Sequence, residues 1–568
     1  MVEASGARIV AEALKAEKVK YVFGIPGGQS CDILYDGLYD VAEVKPILVR
    51  HEEAGVFMAY AYARLTGEPG VCTGTVGPGA QHLVSGVAEA WSGCMPVIAI
   101  APQVSTEIEG LGALQEFPQQ TAMFSPFTKW SVRIPRTDRI SWYMRRAFQI
   151  ATTGKPGPVF VEIPADIGTR KIEMPAYVHS IRPLRMRPSR EQVTEAGELI
   201  IKAERPVIVA GGGVYLSRAF EELRALAELL AIPVLTSAGG KGSIQENHPL
   251  SAGCLGLYRT DVGKKLWEEA DLVIGVGTRF EELESAGWNW LPKNAKMIQI
   301  DIDPTEIARN WIPTTSVIGD AKLVLQDLTE YLYEKIKRTN YQEAPRIMTL
   351  VDAKNEFEDV LREELAKGRK VTKALQIMKE ARKAFDNDAI LVHENGATDI
   401  WSYSYFPVLS PGMDVIPAGQ TCMGFGVAAV IGAKLALPEN QAVCITGDGA
   451  FQMMMDNLSV ATQYKAAATW IILDNSSLGW IRYLQHLVYK DRNISTDFEV
   501  QPDFAKIAEA HGCFGQRIEG TQDVAAALKS AVKANEENVP AVLDFVVEQF
   551  DYYPNFIDFH KSFATAGG

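Results

Sequence analysis

The 568-residue chain has no long apolar run. Stretches such as Val97–Ala101 and Val207–Ala210 stop at Pro102 and Gly211, far short of the ~18 residues a membrane span needs. Cysteine is sparse. The seven, Cys31, Cys72, Cys94, Cys254, Cys422, Cys444 and Cys513, are odd in number and show no CxxC spacing. That excludes a disulfide framework or a thiolate zinc site and fits a reducing compartment. The eight histidines are too dispersed for a metal cluster. Basic charge is also short: 56 Lys and Arg face 70 Asp and Glu, a net charge of −14. Neither a nucleic acid nor a membrane surface is the expected partner. The opening Met-Val-Glu-Ala-Ser-Gly lacks the basic and apolar regions of a signal peptide, so a soluble cytoplasmic protein is expected.

What remains is ordinary globular composition, 47% apolar and 22% charged, with 47 glycines. Short apolar runs alternate with helical patterns throughout, which predicts an α/β fold of doubly wound domains with mostly parallel sheets. Strands are expected at Tyr21–Gly24, Val71–Thr75, Val97–Ala101 and Val159–Ile163, then at Val207–Ala210, Val234–Thr236, Leu272–Gly275, Met297–Ile302 and Ser316–Ile318. The last third offers Ile390–His393, Val443–Thr446, Trp470–Leu473 and Ala541–Val546. The basic, proline-bearing Ile181–Arg190 reads as a linker, and Thr329–Ala381 as a helical connection. Domains are therefore expected at 1–180, 190–335 and 365–548, with an aromatic tail or lid at 549–568.

The sharpest motif is Gly447-Asp448-Gly449-Ala450 after the run Ala442–Ile445. An acid flanked by glycines between a strand and a helix suits a diphosphate held through a metal. Glycine lets backbone approach phosphate, the helix start favours an anion, and the carboxylate takes a hard cation. Asn475 follows 27 positions later at the end of the next strand, enough for one helix and one returning parallel strand. Asp448, the Asn475 side chain and a carbonyl near Ser477 would leave Mg²⁺ room for a diphosphate and water. The alternative is a pair of ordinary turns.

This pattern resembles the thiamine-diphosphate enzymes, with Asp474 standing where an Asn is usual. The resemblance implies thiamine diphosphate and Mg²⁺ as cofactors, with Asp448, Asn475 and the Ser477 carbonyl on the metal and Gly447, Gly449 and Ala450 by the diphosphate. It also implies three domains: pyrimidine-binding, central Rossmann-like and diphosphate-binding. His51-Glu52-Glu53-Ala54 opens a helix in the first third; alone it would read as solvated carboxylates favoured by the helix dipole. The resemblance makes Glu52 the residue that protonates the aminopyrimidine and promotes the reactive C2 ylide.

Flanking segments are similar to the acetolactate synthase and pyruvate oxidase-like group. They are Tyr21–Gly28 with Gly27 and Gly28, Gly77–Ala80 with the following Leu83–Gly86, Ala113–Glu116, Phe127–Lys129 and Thr421–Gly426. That group places Gln115 beside the reacting thiazolium, the Thr421 carbonyl on the 4′-amino group and Met423 as the wedge that bends the cofactor. By itself Met423 reads as core packing. The group also implies a homodimer or homotetramer whose active site lies at the dimer interface. In the middle third, Gly212, Arg279, Asp301 and Asp320 follow strand ends where flavin-containing members bind FAD, although no GxGxxG is completed. FAD, ADP and an empty cleft stay open.

The expected activity is C–C cleavage and formation through a carbanion–enamine, most like acetolactate synthase acting on a 2-oxo acid such as pyruvate. Leu114, Leu484 and Ala397-Thr398-Asp399 depart from that enzyme's usual residues. A sulfoacetaldehyde acetyltransferase-like transferase using an aldehyde and a 2-hydroxyacyl-CoA lyase-like enzyme are therefore alternatives, as is a non-catalytic cofactor-binding paralogue.

Overall fold

The computed structural model describes residues 3–182, 184–336, 340–366 and 374–549. The expected tail lies outside the described residues from 550 onward. Among the described residues three six-stranded sheets follow one another, and every pairing within them is parallel. Their strands are short and nearly all apolar because helices cover both faces. A two-stranded antiparallel ribbon, Glu3–Ser5 with Lys171–Glu173, ties the two ends of the first domain together.

Across the first sheet the strands run Lys45–Leu48, Tyr21–Gly24, Gly70–Thr73, Val97–Gln103, Val159–Pro164, Trp130–Arg133. Across the last they run Asp414–Val415, Ile390–His393, Ala442–Gly447, Thr469–Asp474, Ala541–Val546, Phe514–Ile518. Numbered within its own sheet, each has the order 2-1-3-4-6-5, so the two outer domains share one topology. The middle sheet has the Rossmann order 3-2-1-4-5-6, from Ser251–Cys254 through Val234–Thr236, Pro206–Ala210, Leu272–Val276 and Lys296–Asp301 to Thr315–Ile318. Five of these strands were not anticipated: Lys45–Leu48, Trp130–Arg133, Ser251–Cys254, Asp414–Val415 and Phe514–Ile518. No regular element occupies Met174–Ser189 among its described residues, and the expected linker Ile181–Arg190 ends where the helix Arg190–Lys202 begins.

The outer domains share a core. The helix Glu52–Thr66 is buried on all sides along Ala54–Leu65, and so is the helix Phe425–Ala436 along Phe425–Ala433. They pack together with Phe425 edge-on to Phe57 and Tyr60, at ring distances of 5.3 and 4.9 Å. Gly432 lets the backbones meet, since a Cβ there would lie 2.3 Å from the Met58 carbonyl oxygen. At the far end of the first helix, buried Arg64 pairs with Asp414 at 3.3 Å and donates to its carbonyl at 2.7 Å. Asp414 also receives His393 Nε2 at 2.8 Å. No helix of the described residues is long and apolar enough to cross a membrane.

Candidate active site

Ligands of open parallel sheets bind where strand order reverses, beyond the carboxyl ends of the strands. In the last domain that point lies between Ile390–His393 and Ala442–Gly447. There Gly396, with φ of 121°, opens the helix Ala397–Tyr405, and Gly447 leads into the helix Asp448–Met454. The adjacent strand Thr469–Asp474 is followed by Asn475, whose side-chain oxygen accepts from the Ser477 amide at 3.2 Å. A cavity of about 390 Å³ opens here. It is lined by Thr421, Met423, Gly447, Asp448, Gly449, Ala450, Asn475 and Ser477, so the structure brings together every candidate residue of this half.

Among the described residues, the cavity wall holds polar groups without a protein partner. Ser477 Oγ, Thr398 Oγ1 and Asp399 Oδ1 are buried without partners. Burial, and then the neighbouring Asp474, push the Asp448 carboxyl up to about 7. Burial pushes Asp399 well above the carboxylate range, and Tyr258 donates to its other oxygen at 3.2 Å. A buried carboxylate beside an amide oxygen is a hard-oxygen donor set of the kind Mg²⁺ prefers. The two unpaired hydroxyls, on Ser477 and Thr398, can donate to a polyanion in a walled cavity, so the residues present fit a magnesium diphosphate.

The first domain repeats the arrangement at its own reversal point, between Tyr21–Gly24 and Gly70–Thr73. Gly27 follows one strand and Gly74–Gly79 the other. A Cβ on Gly27 would lie 2.3 Å from Thr75 Oγ1, so glycine is obligatory where these turns touch. Gly28 meets no such crowding. Glu52, 6% exposed at the first turn of its helix, packs under the Gly74–Gly79 turn, with Oε1 3.1 Å from where a Gly79 Cβ would stand. Its Oε2 lies 2.9 Å from His82 Nδ1, and His82 stacks on His51 at 4.6 Å. Gln115 sits on the same turn: Gly77, with φ of 68°, would place a Cβ 2.4 Å from the Gln115 carbonyl oxygen. The structure thus gathers Gly27, Glu52, Gly77 and Gln115, but none of them lines the Asp448 cavity.

Several residues that hold the site were not visible in the sequence. The Glu89 carboxylate, from the first domain, accepts the amides of Ala418 and Cys422 and so anchors the turn carrying Thr421, whose φ is 47°. Glu394 accepts from the amides of Gly424, Gly426 and Val427 at 3.0, 2.8 and 3.2 Å, and burial pushes it up to about 8. The Glu116 carboxylate collects the amides of Gly110, Gly112 and Ala113, folding the loop on which Gln115 sits at φ of 63°. Only Glu116, within the Gln-Glu pattern, carried a sequence signal.

In the central domain the reversal lies between Pro206–Ala210 and Leu272–Val276. The loops there touch, with Gly211 packed on the Gly277 carbonyl. A second cavity, about 630 Å³, includes Gly212, Arg279, Asp301 and Asp320 in its wall. Its charges are largely matched. Arg279 pairs with Glu281 at 2.7 Å, Arg185 with Asp320 at 2.9 Å and Lys155 with Glu306 at 2.6 Å. Burial pushes Asp301 up to about 6. Tyr258, Leu283, Asp399 and Thr421 line both cavities, so the two share a wall.

Comparison with known proteins decides the family. Residues 4–123 match the N-terminal TPP binding domain of thiamine pyrophosphate enzymes, 193–328 the central domain and 394–545 the C-terminal TPP binding domain. The chain belongs to the thiamine pyrophosphate enzyme family. It is 36% identical to a probable acetolactate synthase large subunit of Methanococcus aeolicus over 96% of this chain and 92% of that protein. The corresponding Methanocaldococcus jannaschii protein is 36% identical over 97% of this chain and 93% of its own length. The acetolactate synthase isozyme 3 large subunit of Escherichia coli strain K12 is 31% identical over 97% and 96%. The chain is therefore a thiamine pyrophosphate-dependent enzyme most like acetolactate synthase. These relatives do not favour the transferase, lyase or non-catalytic readings.

Proposed function

We propose that this enzyme joins or cleaves C–C bonds of a 2-oxo acid such as pyruvate, with thiamine diphosphate and Mg²⁺ bound between two copies of the chain. The observation that carries the reading is the division of the site. Two glycine turns of matching topology each gather half of the motif residues, and the acid half, Glu52 with Gln115, stands outside the Asp448 cavity. A homodimer, or a homotetramer built from such dimers, unites them by setting Glu52 of one subunit against the partner's cavity. The exposed Leu111 and Leu114 beside Gln115, at 77% and 83%, suit burial in such an interface. In this arrangement 1–180 serves the pyrimidine and 365–548 the diphosphate.

When bound, the cofactor supplies a nucleophilic carbon and a sink for the electrons left by C–C cleavage. The chain supplies the rest. Asp448, the Asn475 side chain and the Ser477 carbonyl hold the cation, while Gly447, Gly449 and Ala450 leave room for the diphosphate. Met423 and Thr421 shape and orient the ring system, and Gly27, Gly28 and Gly77 let backbone approach it. Glu52 holds and returns a proton at the pyrimidine nitrogen, with His82 fixing its free carboxylate oxygen. Gln115 orients the substrate carbonyl.

FAD is the reading for the second cavity, whose wall holds Gly212 at the glycine turn together with Arg279, Asp301 and Asp320. An absorption band near about 450 nm in the purified protein tests it. Residence in the cytoplasm belongs to the same reading. The activity is tested by following pyruvate consumption and product identity with and without thiamine diphosphate and Mg²⁺. Turnover that needs both and disappears in Glu52→Ala is expected. Equal rates for the two proteins would refute the role of Glu52.

A further inference from the structure

Asp474 stands where the family motif usually has an Asn, and it is 1% exposed beside Asp448. Two adjacent buried acids repel each other, and a third, fully buried Asp544, lies on the neighbouring strand. The structure resolves this with two residues distant in sequence. Arg517 donates to Asp474 Oδ2 at 3.1 Å and to Asp544 Oδ2 at 2.6 Å. Gln501 sends its side-chain nitrogen to Asp448 Oδ2 at 2.7 Å and to Asp474 Oδ1 at 2.8 Å. A primary amide has two N–H bonds, and both are engaged here.

Gln501 is delivered by a strap that lies along the Asn475 turn. Leu478 donates its amide to the Thr496 carbonyl at 2.8 Å, and Phe498 donates its own to Ser476 at 2.9 Å. Both Asp474 oxygens are engaged, Oδ1 by Gln501 and the Ser476 amide and Oδ2 by Arg517, and Asp474 is not among the residues that line the cavity. Asp448 differs: Gln501 takes Oδ2 and thereby fixes the direction of Oδ1.

We propose that Gln501 is a positioning residue for the metal site, aiming Asp448 at the cation. The proposal rests on the reading of Asp448 as a Mg²⁺ ligand. Residues that orient a metal ligand typically contribute about 10–100-fold to metal affinity.

The test is the Mg²⁺ concentration at which thiamine diphosphate binds, read from quenching of intrinsic tryptophan fluorescence; Trp401 and Trp480 line the cavity. In Gln501→Leu the midpoint is expected to rise about tenfold or more, with apoprotein melting lowered because two buried acids lose the amide between them and with thiamine diphosphate affinity at saturating Mg²⁺ retained. Gln501→Asn, which keeps the amide on a shorter stem, is expected in between. An unchanged midpoint in Gln501→Leu overturns the proposal. So does a rise matched by an equal loss of thiamine diphosphate affinity at saturating Mg²⁺, which marks a purely structural role. Asp448→Asn separates the two claims. If it abolishes the Mg²⁺ dependence while Gln501→Leu leaves it intact, only the Gln501 role fails. If neither variant moves it, the metal reading itself fails.

Discussion

The most informative single perturbation outside the cavity is Glu89→Leu. Glu89 is fully buried on the helix Pro78–Ser92 of the first domain, yet both its oxygens serve the last domain. One accepts from Ala418 N and the other from Cys422 N at 3.0 Å. Leucine strands both amides away from water. Each orphaned donor costs about 1–3 kcal/mol, so the turn should lose roughly 2–6 kcal/mol of support. Thr421 lies within that turn at φ of 47°. Such a conformation costs on the order of 1–3 kcal/mol and persists only while its surroundings impose it. Once released, Thr421 relaxes and carries Met423 with it. Apoprotein melting should fall by about 5 °C or more, at roughly 2–4 °C per kcal/mol for a domain of this size, and thiamine diphosphate should bind more weakly. Glu89→Gln keeps one acceptor and should show about half the effect. A Glu89→Leu protein with unchanged melting and unchanged cofactor affinity refutes the reasoning.

Two further perturbations probe the frame. Gly432→Ala gains up to about 1 kcal/mol of helix propensity, but its Cβ would stand 2.3 Å from the Met58 carbonyl oxygen. Overpacking of about 1–3 kcal/mol should win, and thermal denaturation should show a net loss; a stabilised variant contradicts the close crossing of the two helices. Glu162 accepts from Gln120 at 3.1 Å, and burial pushes it up to about 7 from an ordinary 4.5. A raised folded value means that its stabilising contribution is complete below 4.5 and fades as pH rises through 7. The fade amounts to at most roughly 3 kcal/mol. In urea titrations Glu162→Gln should lose less stability than wild type between pH 5 and pH 8, and an identical pH slope would contradict this.

Central strands were legible in the sequence because strands covered on both faces read as unbroken runs such as Val-Ile-Ala-Ile-Ala, ending at glycine or proline. The five unanticipated strands all lie at sheet edges. Lys45–Leu48 has a single buried residue, Trp130–Arg133 none, and Asp414–Val415 spans only two positions. An edge strand has one neighbour and partial cover, so its composition carries no continuous apolar signal. The site divides in the same way. Its glycine turns were legible because close backbone approach excludes any side chain, as at Gly77 against the Gln115 carbonyl. Glu89, Gln501 and Arg517 were not, because a hydrogen bond spanning 329 positions, as from Glu89 to Ala418, leaves no local pattern. Gln115 and Glu52 were recognised by motif, but their absence from the Asp448 cavity became visible only in three dimensions.

The central claim is that Glu52 moves a proton for a bound thiamine diphosphate. Exchange of the cofactor's C2 proton for deuterium, followed by proton NMR after acid quench with Mg²⁺ present, measures that step without any substrate. Wild-type protein should accelerate exchange by several orders of magnitude over the free cofactor. Glu52→Gln should bind thiamine diphosphate with similar affinity yet lose most of the acceleration. Exchange at the free-cofactor rate in wild type, or undiminished exchange in Glu52→Gln, would contradict the account.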